Sequence, residues 1–104
     1  MVKRDVIWTK TADLQLVGVL EYWVNRNKST SFSKKLVRLV SKRTKEISEQ
    51  PFIYKSIDFK EIRVASLVNF NIYYKITDSQ IIIMAFWDNR QDPKKLLKLL
   101  KNQS

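Results

Sequence analysis

The hydrophobic period of this chain changes once, near residue 58, and that change limits the folds open to it. Before it, apolar side chains recur at helical spacing: Leu16, Val17, Leu20, Trp23 and Val24, then Leu36, Val37, Val40, Thr44 and Ile47. After it, Val68, Phe70, Ile72, Tyr74 and Ile76 alternate with Asn69, Asn71, Tyr73, Lys75 and Thr77. That is the period of a strand with one face buried. Residues 81–87 are apolar on both faces, as a central strand requires. Two helices must therefore cover a sheet that follows them in the chain.

The boundaries follow from local chemistry. Residues 6–9 form a short strand candidate, with Thr11 as the expected cap of the first helix. On that helix Gln15, Gly18 and Glu21 are expected to face away from the core. Polar residues 25–31 interrupt the pattern, and a second helix starts near Ser31 or Ser33, with Lys34, Lys35, Arg38, Lys42 and Lys45 on its wet side. Pro51 marks its end. Residues 61–67 read as a strand, and Thr77-Asp78-Ser79-Gln80 as a hairpin turn. Asp92 then caps a short helix with Pro93 at its first position. Along it Leu96, Leu97 and Leu100 are expected to dock, while Lys94, Lys95, Lys98 and Lys101 stay in water. The expected fold is α+β: a short N-terminal strand, a helical hairpin, a three-stranded antiparallel meander and a short C-terminal helix, with the hairpin on one face of the sheet. One domain spanning 1–104 is expected at this length.

Composition narrows the chemistry. The chain has no cysteine and no histidine. Disulfides, thiolate nucleophiles and imidazole bases are thereby excluded, and no metal site or cofactor is expected. Any catalysis rests on Lys, Arg, Tyr or carboxylates. A net charge of +10 favours an anionic partner: nucleic acid, a ribosome-like particle, an acidic membrane or an acidic protein. The Met1-Val2-Lys3-Arg4 start has the charge of a signal n-region, but Asp5, Trp8 and Lys10 break any apolar segment after it. No membrane span is expected, and the cytoplasm is the default compartment.

The stretches "VIWTKTADLQLVGVLEYW", "EIRV", "FNIYYKI" and "IIIMAFWDNRQDPKKL" together resemble RelE/ParE-type toxins of bacterial type II toxin–antitoxin modules, over nearly the whole chain. Within that family an apolar strand commonly runs into a turn ending Arg-x-Asp-Pro, as it does here through Arg90. The resemblance implies a growth-arresting toxin neutralised by a cognate antitoxin, in a toxin–antitoxin hetero-oligomer of the kind associated with plasmid stabilisation. Its target would be either messenger RNA on the ribosome, as an mRNA interferase, or DNA gyrase, as an inhibitor.

For RNA cleavage the resemblance points to Arg63, Arg90 and Tyr74 as catalytic, with Lys60, Asn71, Lys75, Lys94 and Lys95 holding phosphate. Arginine suits that work because its planar fork donates two hydrogen bonds and keeps its charge. RelE-like nucleases carry an arginine three residues before the tyrosine, where this chain has Asn71. The ParE-like pattern makes no such demand. Structural alternatives stand beside each assignment: Arg90 pairing with Asp88 or Asp92, Arg63 pairing with a carboxylate across the sheet, Tyr74 in the core. A different class of function also fits the charge, a non-catalytic basic module that binds nucleic acid or an acidic protein.

Overall fold

The computed structural model describes residues 3–102; Met1 and Val2, the start of the basic tetrapeptide, lie outside the described residues. The chain runs β1 (Asp5–Trp8), α1 (Lys10–Asn27), α2 (Ser31–Glu49), a single 3-10 turn (Pro51–Ile53), β2 (Lys55–Ser56), β3 (Arg63–Leu67), β4 (Phe70–Ile76), β5 (Gln80–Asp88) and α3 (Pro93–Asn102). The expected α+β arrangement is present. The sheet is wider than the meander alone, with five strands in the order β1-β5-β4-β3-β2. β1 pairs in parallel with β5, and the remaining neighbours are antiparallel. This makes β5 a central strand, which explains its apolar residues on both faces.

The α1–α2 hairpin covers one face, where Leu36, Val40, Ile47, Ile72, Tyr74, Ile83 and Phe86 close-pack. α3 covers the other, over Ile62, Tyr73, Met84, Ala85 and Trp87, into which it inserts Leu96 and Leu100. A bulge in β5 sets this division. Tyr73 pairs with Ala85 but Tyr74 with Ile83, so Met84 is the extra residue. Met84 and Ala85 both end up on the α3 side, and the alternation resumes out of phase. Phe86 therefore meets the hairpin and Trp87 meets α3.

Several local expectations are corrected. Thr9, rather than Thr11, caps α1: its Oγ1 accepts from the Ala12 N–H at 3.2 Å and donates to the Ile83 carbonyl at 2.9 Å. One hydroxyl thus fixes the helix start to the central strand. Gln15 does not face away. Its Oε1 accepts the Phe86 N–H at 2.9 Å, on the part of β5 that extends beyond the four-residue β1. Leu97 stays exposed on α3, with Leu99 half-buried in its place. Val68 belongs to the two-residue β3–β4 turn instead of the strand, at φ 56°. That conformation usually goes to glycine, and a β-branched residue there is strained. The only glycine in the chain, Gly18, stands inside α1. Among the described residues no helix is long and apolar enough to cross a membrane.

Candidate functional site

The structure separates the eight sequence-predicted residues into three places. The first is a corner at the start of β3. Arg63 and Tyr74 are direct cross-strand neighbours, so their side chains stand on the same face of the sheet, the one the hairpin covers. Neither meets a carboxylate there. Arg63 Nη1 donates to the Tyr54 carbonyl at 2.6 Å and to the Phe52 carbonyl at 3.3 Å, and its guanidinium lies 5.4 Å from the Phe52 ring centre. The Tyr74 hydroxyl is fully buried and donates to the Pro51 carbonyl at 2.7 Å. Burial pushes its phenol above the usual range, an effect that the nearby Arg63 charge opposes and Tyr54 reinforces. The three carbonyls of Pro51, Phe52 and Tyr54 are thus held from beneath by two side chains of the sheet.

The second place is the corner after β5. Here Asp88 Oδ1 accepts the Arg90 N–H at 2.9 Å, closing a tight turn. The same carboxylate takes the Arg90 fork in both teeth, Nε at 3.0 Å and Nη2 at 2.7 Å. The Arg90 hydrogen bond holds the Asp88 carboxyl below its ordinary range, and the partnership raises Arg90 in turn. The guanidinium lies 5.6 Å from the Trp23 ring centre of α1. A cavity of about 440 Å³ opens between α1 and the end of β5, walled by Leu14, Gly18, Tyr22, Trp23, Phe86 and Arg90 among others. Arg63 and Tyr74 are not in its wall. Asp88 pairs with Phe70 and Arg63 with Tyr74. Four residue steps along β4, from Phe70 to Tyr74, therefore separate the two corners, roughly 13 Å along the strand.

The third place is the α3 side. Asn71, Tyr73 and Lys75 alternate onto it, and Asn71 Nδ2 donates to the Tyr73 hydroxyl at 3.3 Å. Lys60 sits at φ 49° in a loop with two other left-handed residues, Asp58 and Glu61. Its Nζ donates to the Lys101 carbonyl at 3.1 Å, which places a cation at the negative end of α3. Asp92 caps that helix by accepting the Lys94 N–H at 2.9 Å, while the side chains of Lys94 and Lys95 remain in solvent. Trp87 is only 8% exposed on this face and packs in the cluster beneath α3. The described residues hold no group of three or more acidic side chains arranged for a metal.

The element order, the parallel β1–β5 pair and the Arg90 turn can now be set against known proteins. The family model for the ParE toxin of type II toxin–antitoxin systems, parDE, matches residues 6–93. The chain belongs to the ParE toxin family. Both arginine corners lie inside the matched span, which ends at the first residue of α3. Among solved structures, the chromosomal ParDE TA system from P. aeruginosa contains a chain that superposes with a TM-score of 0.70 at 14% identity, over 83% of this chain and 96% of that one. At that identity the likeness concerns the fold. A search of curated proteins returned no match.

Two groups were missed at the sequence level, Phe52 with Tyr54, and Trp23 as the ring beside Arg90. The Phe52-Ile53-Tyr54 triplet directly after a helix-ending proline was the available signal, since it is apolar yet follows neither period.

Proposed function

We propose that this ParE-family toxin arrests growth by gripping DNA gyrase rather than by cutting RNA, and that a cognate antitoxin neutralises it. The observation that carries this reading is the occupied state of the Tyr74–Arg63 pair. Cleavage at a ribose needs a group that takes the 2′-hydroxyl proton and cations that hold the phosphate's growing charge. The Tyr74 phenol is buried, donates to a backbone carbonyl and has its pKa raised, so it is neither reachable nor basic near neutral pH. Arg63 spends Nη1 on two carbonyls, and Asp88 fills the fork of Arg90. Asn71 leaves a further cation out. Loss of one such contact in a transition state costs about 10²-fold in rate, so these substitutions and engagements together weigh against a nuclease.

Gripping a protein needs no such constellation. The net charge of +10 suits an acidic antitoxin, because complementary charge speeds encounter. Most of that charge is uncommitted: among the described residues two ion pairs form, Arg43–Glu46 and Arg90–Asp88. The fold neighbour from P. aeruginosa, described as part of a ParDE system, supports the same pairing.

Induction in a bacterial host separates the two targets. The expected result is arrest with gyrase-linked DNA breaks and unchanged messenger RNA ends. Codon-phased RNA cuts that disappear in Arg90→Ala would instead establish the nuclease.

One observation favours a second reading. α3 presents Lys94, Lys95, Lys98 and Lys101 with no acidic residue in the helix. A basic module binding nucleic acid through this face would weaken steeply with salt. Affinity for duplex DNA that stays constant between low and physiological salt rules that reading out.

A further inference from the structure

Phe52 and Ile53 are 61% and 68% exposed, and Ile53 is the most exposed large apolar side chain among the described residues. They are consecutive, and they sit on a turn whose backbone is clamped by the Tyr74 hydroxyl at Pro51 and by Arg63 at Phe52 and Tyr54. Pro51 itself is buried and fixes the first position of the turn. A flexible loop would let these two side chains fold back onto the protein. Here the clamped backbone directs them outward.

The charges around them are divided. Phe52 lies between two guanidinium groups, Arg4 at 5.6 Å and Arg63 at 5.4 Å from its ring centre, and neither arginine joins an ion pair among the described residues. Ile53 borders a cavity of about 290 Å³ whose wall includes Glu46 and Glu49. Glu46 is paired with Arg43, so the excess charge beside the protrusion lies on its arginine side.

We infer that the Phe52–Ile53 turn is a preformed anchor that inserts into an apolar pocket on the toxin's protein target, with a carboxylate of that pocket meeting Arg4. An apolar anchor flanked by arginine is the composition that concentrates binding energy at interfaces. Holding it rigid removes the ordering cost on binding. The inference rests on the preceding reading in requiring a protein target, and it assigns Arg63 and Tyr74 a positioning role beneath the anchor.

The test uses the full chain with both Phe52 and Ile53 changed to Ala, compared with Phe52→Leu/Ile53→Val. Two readouts are taken: growth arrest on induction, and binding of the purified toxin to purified gyrase holoenzyme. The Ala pair is expected to abolish arrest and weaken gyrase binding roughly 30-fold or more, with an unchanged melting temperature. The Leu/Val pair is expected to restore most of both. Arg4→Gln provides a variant that leaves the anchor intact; it should weaken binding more at low salt than at high salt.

Full arrest by the Ala pair overturns the inference. So does a change in the toxin's own oligomeric state with gyrase binding intact, since the turn would then serve a second copy of this chain. If the unaltered toxin arrests growth without binding gyrase, the choice of target fails, while the arrest assay still reads the anchor.

Discussion

Arg63 and Arg90 occupy equivalent kinds of position, each where a strand meets a turn, and the structure uses them in opposite ways. Arg63 reaches inward to two backbone carbonyls and is half-buried against Phe52 and Tyr74. Arg90 turns back on a carboxylate two residues away and keeps its side chain 58% exposed. The difference lies in what each would leave behind. Without Arg63, carbonyls of a fixed turn lose a side-chain donor; without Arg90, Asp88 loses a guanidinium two residues away and keeps the Arg90 backbone N–H. A guanidinium in a strand-to-turn sequence is therefore not one kind of object, and only its acceptors say which it is.

The contrast can be broken by substitution. Tyr74→Phe, which keeps the ring and removes only the hydroxyl bonded to Pro51, should cost about 2 kcal/mol in chemical denaturation, because a buried carbonyl is left unsatisfied. The same variant tests the phenol's titration. The folded state holds it neutral beyond the unfolded value of 10.0, so stability is intact below that pH and declines as pH rises past it. Tyr74→Phe should flatten that alkaline decline. Arg63→Ala should cost about 1–2 kcal/mol, somewhat less because the Phe52 carbonyl retains access to water. A cost indistinguishable from zero would place Arg63 in the same class as Arg90.

At the Arg90 corner the expected changes are smaller. Gly18→Ala should stabilise by about 0.5–1 kcal/mol, since a Cβ there meets nothing within 4 Å and glycine inside a helix is unfavourable. Destabilisation would mean that the cavity wall tolerates no added methyl group. Arg90→Ala should lower the melting temperature only slightly, since the guanidinium itself is exposed, although Asp88 loses its bidentate partner.

Much of the fold was legible because period and punctuation agree. The hairpin of helices, the Thr77–Gln80 turn and the Asp92 cap each follow from residues within a few positions of one another. What was not legible depends on partners far away in the chain. β1 gains its place only through β5, more than 70 residues later, and no local pattern announces a parallel edge pair. Gln15 looks like a solvent-facing polar residue until β5 presents an unpaired N–H beside it. The candidate site shows the same dependence on distant partners. Residue types suggested phosphate chemistry at Arg63 and Tyr74, but the acceptors they found belong to a turn that returns beneath them from the end of α2. For Arg90 the acceptor, Asp88, was close enough in sequence to be weighed in advance.

In the proposed function, Tyr74 and Arg63 support the Pro51–Ile53 turn and take no part in bond breaking. Growth arrest by Tyr74→Phe, induced at a temperature where the variant is folded, tests this most directly. The prediction is arrest within a few-fold of the unaltered toxin. Complete loss of arrest by a variant that is folded at that temperature would contradict it and return the phenol to the chemistry.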